Sequence, residues 1–119
     1  MKQVVIEKLG HRGEGVARDG DRRVFIPYAL PGETVAAEIN GDHGCLVEIV
    51  TPSPQRVAPI CPHYAQCGGC AVQTLAFEAY AQWKRGLVET ALRNAGLSLD
   101  IGPLIDAHGA GRRRVTFHA

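Results

Sequence analysis

Residues 30–44 of the chain read LPGETVAAEINGDHG and contain one strand pattern between two turn signals. In the first signal, Pro31 presets a negative φ and Gly32 accepts a positive φ, a combination that favours a type II turn. Residues 34–40 then alternate, as a half-buried strand does. The apolar face of this strand carries Val35, Ala37 and Ile39. The segment 40–44 turns the chain again, so the stretch predicts a strand with a reversal at each end.

Four further short strands are predicted on either side of this segment. They lie at residues 3–9, 16–18, 22–27 and 45–51. Asp19-Gly20 is a hairpin signal between the second and third strands. Alternation in the last strand places Cys45, Val47 and Ile49 on one inward face, so we expect Cys45 to be a small buried thiol and not a metal ligand. Five short strands within about 50 residues predict a small barrel of the OB type.

A proline-rich segment ends the predicted barrel, because each proline removes a ladder donor. We divide the chain into a barrel domain at 1–55, a linker with a cysteine-rich loop at 56–74, and a helix followed by the start of a further domain at 75–119. The helix is predicted from about 75 to 95, with Thr74 as its cap and Gly96 just past its end. Its apolar stripe consists of Tyr80, Leu87, Val88, Ala91, Leu92 and Ala95.

The last residues of the chain form an interrupted pattern. Val115, Phe117 and Ala119 alternate with polar residues as a strand does, and the pattern stops without a partner strand. We therefore expect the chain to be a fragment of a longer protein, truncated within its central domain. The predicted fold class is mainly β with one long helix.

Length, composition and charge limit the classes of protein to which the chain can belong. The chain has 119 residues, 45% of them hydrophobic, which is a globular composition long enough for one domain or two small modules. The 13 Lys and Arg residues nearly balance the 12 Asp and Glu residues, so bulk charge does not indicate a nucleic-acid-binding protein. Neither a signal peptide nor a membrane span is evident, and we expect a cytoplasmic protein with reduced cysteines.

Three cysteines follow the linker at the spacing C-x5-C-x2-C. They are Cys61, Cys67 and Cys70, and Gly68 and Gly69 lie within the short pair. Soft thiolates select zinc or iron-sulfur clusters, and flexible glycines allow backbone amides to approach sulfur. From spacing alone, three interpretations stay open: a zinc site completed by His63 or His43, an iron-sulfur site, and free thiols that bind no metal.

Two sets of residues are candidates for RNA contact. The first set, Arg22, Arg23 and Phe25, lies around one hairpin and would present a basic and aromatic face to single-stranded RNA. The alternative places Phe25 in the barrel core beside two solvated arginines. The second set is the basic run Arg112, Arg113 and Arg114, whose guanidinium groups suit phosphates; the alternative is an ordinary charged edge without RNA contact. Trp83, next to the helix stripe, is interpreted as a packing residue.

Several of these motifs resemble those of a known family. The barrel motifs are GEGVA at 13–17, VFIP at 24–27 and LPGE at 30–33, and the cysteine motif is CPHY at 61–64 with CGGC at 67–70, followed by Gln73 and Lys84. Together they resemble the N-terminal part of RNA uracil-C5 methyltransferases, which use S-adenosylmethionine and carry a TRAM barrel and a 4Fe-4S cluster. The resemblance covers nearly the whole chain.

The resemblance implies specific roles. Cys61, Cys67 and Cys70 would be three cluster ligands, with the fourth ligand outside this chain. The methyl-donor site and the catalytic residues of the family belong to a further domain, so the chain alone is expected to be inactive. The implied partner is ribosomal (23S) or transfer RNA, without membrane contact, and the implied state is a monomer. The alternative is a standalone TRAM-type RNA-binding module with a structural zinc or iron-sulfur knuckle.

Overall fold

The computed structural model describes residues 1–68 and 70–105 of the chain. Within these residues the elements follow one another as β1 (Lys2–Leu9), β2 (Gly15–Asp19), β3 (Arg22–Ile26), β4 (Thr34–Asn40), β5 (His43–Thr51) and α1 (Phe77–Asn94). The strands form a closed barrel in the order β1-β2-β3-β5-β4, in which β1 also pairs with β4. The pairing of β3 with β5 is parallel and the others are antiparallel. The structure confirms a mainly β fold with an OB-like five-stranded barrel and one helix.

The barrel interior is filled by aliphatic side chains from its strands and from the segment after β3. This core consists of Val4, Ile6, Ala17, Val24, Ile26, Ala29, Val35 and Ala37. β1 and β3 alternate between buried and more exposed positions, because successive side chains point to opposite faces of a sheet, whereas β2 and β4 each contain three consecutive buried residues. Removal of this apolar surface from water is the main contribution to the stability of the barrel.

The turn predicted before β4 is confirmed. Gly32 has a φ of +84°, and the amide of Glu33 donates a hydrogen bond to the carbonyl of Leu30 over 3.2 Å. A positive φ at the third position of a turn is the requirement that favours glycine in a type II turn. This turn also sets the start of β4, which begins at Thr34 as predicted.

The prediction that Cys45 is buried is wrong. Cys45 pairs with the outward Glu38, whereas its neighbour Gly44 is buried and a Cβ added there would lie 2.8 Å from the Cγ1 atom of Ile26. The β4–β5 register shifts at two places, so β5 contains bulges and does not keep strict alternation. The bulge after Leu46 puts Cys45 and Ile49 on opposite faces, which a period of two cannot predict.

The segment between β5 and α1 is folded back on itself by backbone contacts and is not a free linker. Arg56 forms an isolated bridge with Leu75, the amide of Val57 donates to the carbonyl of Thr74 over 2.7 Å, and the amide of Ala76 donates to the carbonyl of Gln55 over 2.8 Å. This short two-stranded contact fixes the point at which α1 begins.

The helix is shorter than predicted and has a different cap. Its N-cap is Ala76, which makes no side-chain hydrogen bond, so the prediction of Thr74 as cap is wrong. Its C-terminal end is as predicted: Gly96 has a φ of +79°, its amide donates to Arg93, and the amide of Leu97 donates to Leu92, which is a Schellman motif.

The apolar stripe of the helix is not covered within the part of the chain that the structure describes. No residue of α1 is buried, and Val88 is 50% exposed. No helix in the described part is long and apolar enough to cross a membrane. The strand predicted at the end of the chain lies outside the described residues.

Candidate functional site

A buried ion pair joins the barrel to the segment that follows it. Glu33 is fully buried, and its two carboxylate oxygens accept hydrogen bonds from Nε and Nη2 of Arg56 over 2.6 and 2.9 Å. The amides of Leu30 and Ser53 donate to the same carboxylate over 2.7 and 3.1 Å. Nη2 of Arg56 also donates to the carbonyl of Tyr28 over 2.9 Å. This ion pair therefore links the turn before β4, the segment after β3 and Ser53, which follows β5.

The pKa values of this pair favour the charged forms. Burial alone would raise the pKa of the Glu33 carboxyl, but the hydrogen bonds from Arg56, Leu30 and Ser53 together lower it below its ordinary value. The hydrogen bond to Glu33 raises the pKa of Arg56, against the opposing effect of burial. The pair is thus ionised in the folded protein at neutral pH.

Two tyrosines connect this pair to the cysteine-rich loop. Tyr28 follows β3 with a φ of +71°, and its ring meets that of Tyr64 edge-to-face at a centroid distance of 5.1 Å. The hydroxyl of Tyr64 donates to the carbonyl of Ala71 over 2.8 Å, and burial raises its pKa. The aromatic contact holds the loop from Cys61 to Cys70 beside Tyr28, and the hydroxyl bond ties Tyr64 to Ala71 directly after the loop.

Inside the loop, backbone amides and one glutamine set the position of Cys61. The amide of Cys61 donates to Oε1 of Gln73 over 2.7 Å, and the amide of His63 donates to the sulfur of Cys61 over 3.4 Å. The carbonyl of His63 in turn accepts from the amide of Cys67 over 2.9 Å. Cys61 is half-buried, whereas Cys67 and Cys70 are exposed.

The structure does not bring the three predicted ligands together. Among residues 1–68 and 70–105, no three His, Cys, Asp or Glu side chains are grouped closely enough to hold a metal ion. The chemistry of the donors nevertheless fits an iron-sulfur cluster. Three thiols lie on one loop, and the sulfur of Cys61 already accepts an amide hydrogen bond of the kind that tunes cluster ligands. The assignment of Cys61, Cys67 and Cys70 as ligands stays a prediction.

A groove lies where the barrel, the cysteine-rich loop and the helix meet, and we call it the junction groove. It has a volume of about 770 Å³ and is lined by the loop between β1 and β2, by residues within 57–60 and 70–75, and by the first half of α1. Its charged and titratable side chains are His11, Arg12, Cys70, Tyr80 and Lys84. No Asp or Glu lies among the described residues that line it. The groove therefore combines positive charge with an apolar surface.

Three aromatic rings follow one another along the helix wall of the junction groove. The centroids of Phe77 and Tyr80 are 6.4 Å apart, and those of Tyr80 and Trp83 are 6.2 Å apart. The ammonium group of Lys84 lies 5.5 Å from the ring centroid of Trp83 and 5.8 Å from that of Tyr80. The Nε1 atom of Trp83 is buried and has no hydrogen-bond acceptor in the described part of the chain.

The predicted RNA-contact residues on the barrel are only partly brought together. Arg22 and Arg23 are exposed, and Arg23 pairs across the strands with Arg18 on the outer face.

Phe25 is half-buried on the face opposite Val24 and Ile26, so the alternative that placed it in the core is wrong. It lines a neighbouring depression of about 280 Å³, which shares His11 and Arg12 with the junction groove and is otherwise walled by Glu14, Pro27, Asp42 and His43. Arg112, Arg113 and Arg114 lie outside the described residues.

Sequence patterns missed two parts of this site. Arg56 was placed in a linker, although the turn motif already contained the buried carboxylate that it binds. Trp83 was interpreted as packing, and it does pack: a Cβ at Gly13 would lie 3.5 Å from its ring. It also lines the junction groove, and the spacing of Phe77, Tyr80 and Trp83 at intervals of three residues was the available signal.

Comparisons with known proteins agree with this architecture. Residues 2–43 match the TRAM domain. Over its full length the chain is 47% identical to an uncharacterized RNA methyltransferase of Caulobacter vibrioides, and it covers 29% of that protein. It is 43% identical to an uncharacterized RNA methyltransferase of Rhizobium meliloti over 98% of this chain and 29% of the relative.

A third relative has a more specific name. The 23S rRNA (uracil(1939)-C(5))-methyltransferase RlmD of Halomonas elongata is 40% identical over 95% of this chain and 25% of its own length. The chain thus spans less than a third of the length of these relatives. The resemblance drawn from the motifs is confirmed: the chain carries a TRAM domain and is homologous to proteins named RNA methyltransferases, including 23S rRNA uracil-C5 methyltransferases.

Proposed function

We propose that this chain is the RNA-recognition and cluster-bearing portion of an S-adenosylmethionine-dependent RNA uracil-C5 methyltransferase. The substrate is a uridine in 23S ribosomal RNA or transfer RNA, and the protein works as a cytoplasmic monomer. The proposal rests first on homology to RNA methyltransferases over nearly the whole chain. Methyl transfer itself is assigned to the part of the relatives' length that this chain does not span.

The structural observation that supports RNA recognition is the junction groove. Its charged side chains are cationic, and its helix wall presents three aromatic rings. Proteins that bind single-stranded nucleic acid combine positive charge that follows the phosphates with aromatic faces on which bases stack. The outer face of β3 adds Arg23 and the half-buried Phe25 on the neighbouring barrel surface.

We also propose that Cys61, Cys67 and Cys70 hold a 4Fe-4S cluster together with a fourth ligand from beyond this chain. When bound, the cluster would cross-link the loop and fix its position beside the junction groove, which Cys70 lines. The Gln73 side chain and the His63 amide hold Cys61 in place before the cluster forms. Each thiolate would ligate one iron of the cluster, so loss of one thiolate leaves that iron open to water and oxidant.

RNA binding is tested by fluorescence anisotropy with a labelled oligouridylate at several salt concentrations. The logarithm of the affinity should fall in proportion to the logarithm of the salt concentration, with a slope of about −0.7 for each phosphate contacted. Replacing Arg112, Arg113 and Arg114 by Gln should make the slope shallower. An absence of binding at low salt contradicts the proposal.

Two further measurements separate the parts of the proposal. Incubation with labelled S-adenosylmethionine and RNA should label RNA with a protein of the relatives' full length and not with this chain alone. Iron and sulfide analysis of the longer protein should give stoichiometric cluster, and each of Cys61→Ser, Cys67→Ser and Cys70→Ser should remove it. Stoichiometric zinc without sulfide would contradict the cluster and favour a structural zinc knuckle.

A further inference from the structure

We propose that the junction groove binds one unpaired base of the RNA, stacked on the ring of Trp83, with Lys84 neutralising the phosphate attached to it. This inference rests on the proposed function and deepens it, because it assigns the groove to a single base and names the side chains that hold it. It also changes the role of Trp83 from packing alone to packing and ligand contact.

The dimensions and charge of the groove fit this occupant. A volume of about 770 Å³ lies within the range of small-molecule sites, which is roughly 300–1,000 Å³. An aliphatic protein segment would leave Arg12 and Lys84 without counter-charges, whereas a nucleotide brings one phosphate for every base. The aliphatic side chains of the second half of α1, such as Val88, lie outside the groove and remain free for packing against protein.

Trp83 offers a polar group as well as a stacking face. Its Nε1 atom has no acceptor among the residues that the structure describes, although it is buried. An indole N–H is a donor only, and leaving it unpaired destabilises the protein without a ligand. This N–H points outward in the plane of the ring, so a ribose or phosphate oxygen of a neighbouring nucleotide, and not the stacked base itself, is the acceptor that could satisfy it after a small shift of the ring.

When RNA is absent, Lys84 occupies the position over the aromatic rings that a stacked base would take. Its ammonium group lies over the rings of both Tyr80 and Trp83 at 5.8 and 5.5 Å. Cation–π contacts at exposed sites are weak, whereas an ionic contact with phosphate is reinforced by release of counterions. A base that stacks on Trp83 would thus displace the ammonium group and present it with a phosphate on the same nucleotide.

Intrinsic fluorescence tests this proposal directly, because Trp83 is the only tryptophan in the chain. We would titrate the protein with oligouridylate and with an abasic oligoribonucleotide of equal length, following label anisotropy and tryptophan emission together. Oligouridylate should quench the emission with the same midpoint as the anisotropy change. The abasic strand should bind through its phosphates without quenching.

The outcomes separate this proposal from the proposed function. Binding seen by anisotropy with unchanged tryptophan emission would overturn the base site and leave RNA recognition intact. Absence of binding by both signals would overturn both. A change in emission with protein concentration alone would show a second copy of the chain in the groove and contradict the assignment to RNA.

Variants add a second, independent readout. Trp83→Leu should weaken oligouridylate binding by about tenfold, the order expected for loss of one stacked base, while binding of the abasic strand stays unchanged. Lys84→Gln should make the salt slope shallower by about 0.7. Arg93→Gln removes an equal charge from the last turn of α1, away from the groove, and should leave the slope unchanged. Equal effects of Lys84→Gln and Arg93→Gln would contradict the proposal.

Discussion

Replacement of the buried carboxylate Glu33 by Gln tests how the barrel is fastened to the segment that follows it. Glu33 is fully buried, and its carboxylate accepts four hydrogen bonds, two of them from Arg56. Gln keeps the shape and one acceptor oxygen, but its amide group would face the donors Ser53 N–H and Arg56 Nε–H. The variant therefore removes the countercharge of Arg56 and leaves a buried amide unpaired.

The magnitude follows from these contacts. Breaking a buried ion pair by removing one partner destabilises a protein by roughly 3–5 kcal/mol. The side chain of Arg56 is 19% exposed, so water relieves part of the loss and the lower end of the range, about 3 kcal/mol, is expected. Small domains have a free energy of unfolding of about 5–15 kcal/mol, so this loss is a large fraction of the total.

The assay is urea unfolding followed by far-ultraviolet circular dichroism. The matched control is Asp19→Asn, which breaks the 3.1 Å ion pair with Lys2. Because the Lys2 side chain is 62% exposed, this change should alter the free energy of unfolding by less than about 1 kcal/mol. Combination of Glu33→Gln with Arg56→Met should be less destabilising than the sum of the two single changes. A Glu33→Gln variant as stable as Asp19→Asn, or strictly additive double-variant energies, would show that the Glu33–Arg56 pair does not stabilise the fold.

Three further predictions follow from particular contacts. Hydrogen bonds lower the pKa of Glu33 in the folded protein, so its stabilising contribution is complete above its unfolded pKa and is lost as the pH falls through its folded pKa. The difference in free energy of unfolding between wild type and Glu33→Gln should therefore be smaller in acid than at neutral pH. Gly44→Ala should destabilise the barrel by about 1–3 kcal/mol in thermal or urea unfolding, because the new Cβ would meet Ile26 at 2.8 Å. The control Gly86→Ala, in open space on α1, should stabilise the protein by about 1 kcal/mol. Cys45→Ser should change the free energy of unfolding by less than about 0.5 kcal/mol, because the thiol is exposed; a loss above about 1 kcal/mol would contradict the observed register of β5.

Turn chemistry and apolar alternation were sufficient to predict the barrel. The Leu30–Glu33 turn, the hairpin at Asp19-Gly20 and the alternation of β4 are local signals, and all strands were placed within about three residues of their observed ends. The face of Cys45 was predicted wrongly for a physical reason. The bulges of β5 arise in its pairing with the neighbouring strand β4, and the alternation pattern of neither strand records that register.

The candidate site was less predictable because it depends on contacts between distant residues. Glu33 and Arg56 are 23 positions apart, and neither sequence neighbourhood indicates that their side chains meet. The groove likewise requires the loop after β1, the segment at 57–60 and the first half of α1 to converge. The cysteine spacing predicted the donor chemistry, but spacing alone does not gather the thiols, which stay apart in the described part of the structure.

Cross-linking to thiouridine-containing single-stranded RNA would locate the surface on which this chain recognises RNA. After irradiation at low salt, peptide mapping by mass spectrometry would locate the linked side chains. If RNA binds in the junction groove, cross-links should be concentrated between Phe77 and Lys84 and should be lost in competition with unlabelled oligouridylate. Cross-links found only on surfaces remote from the groove, such as the outer face of β1, or no cross-linked peptide at all, would contradict binding there.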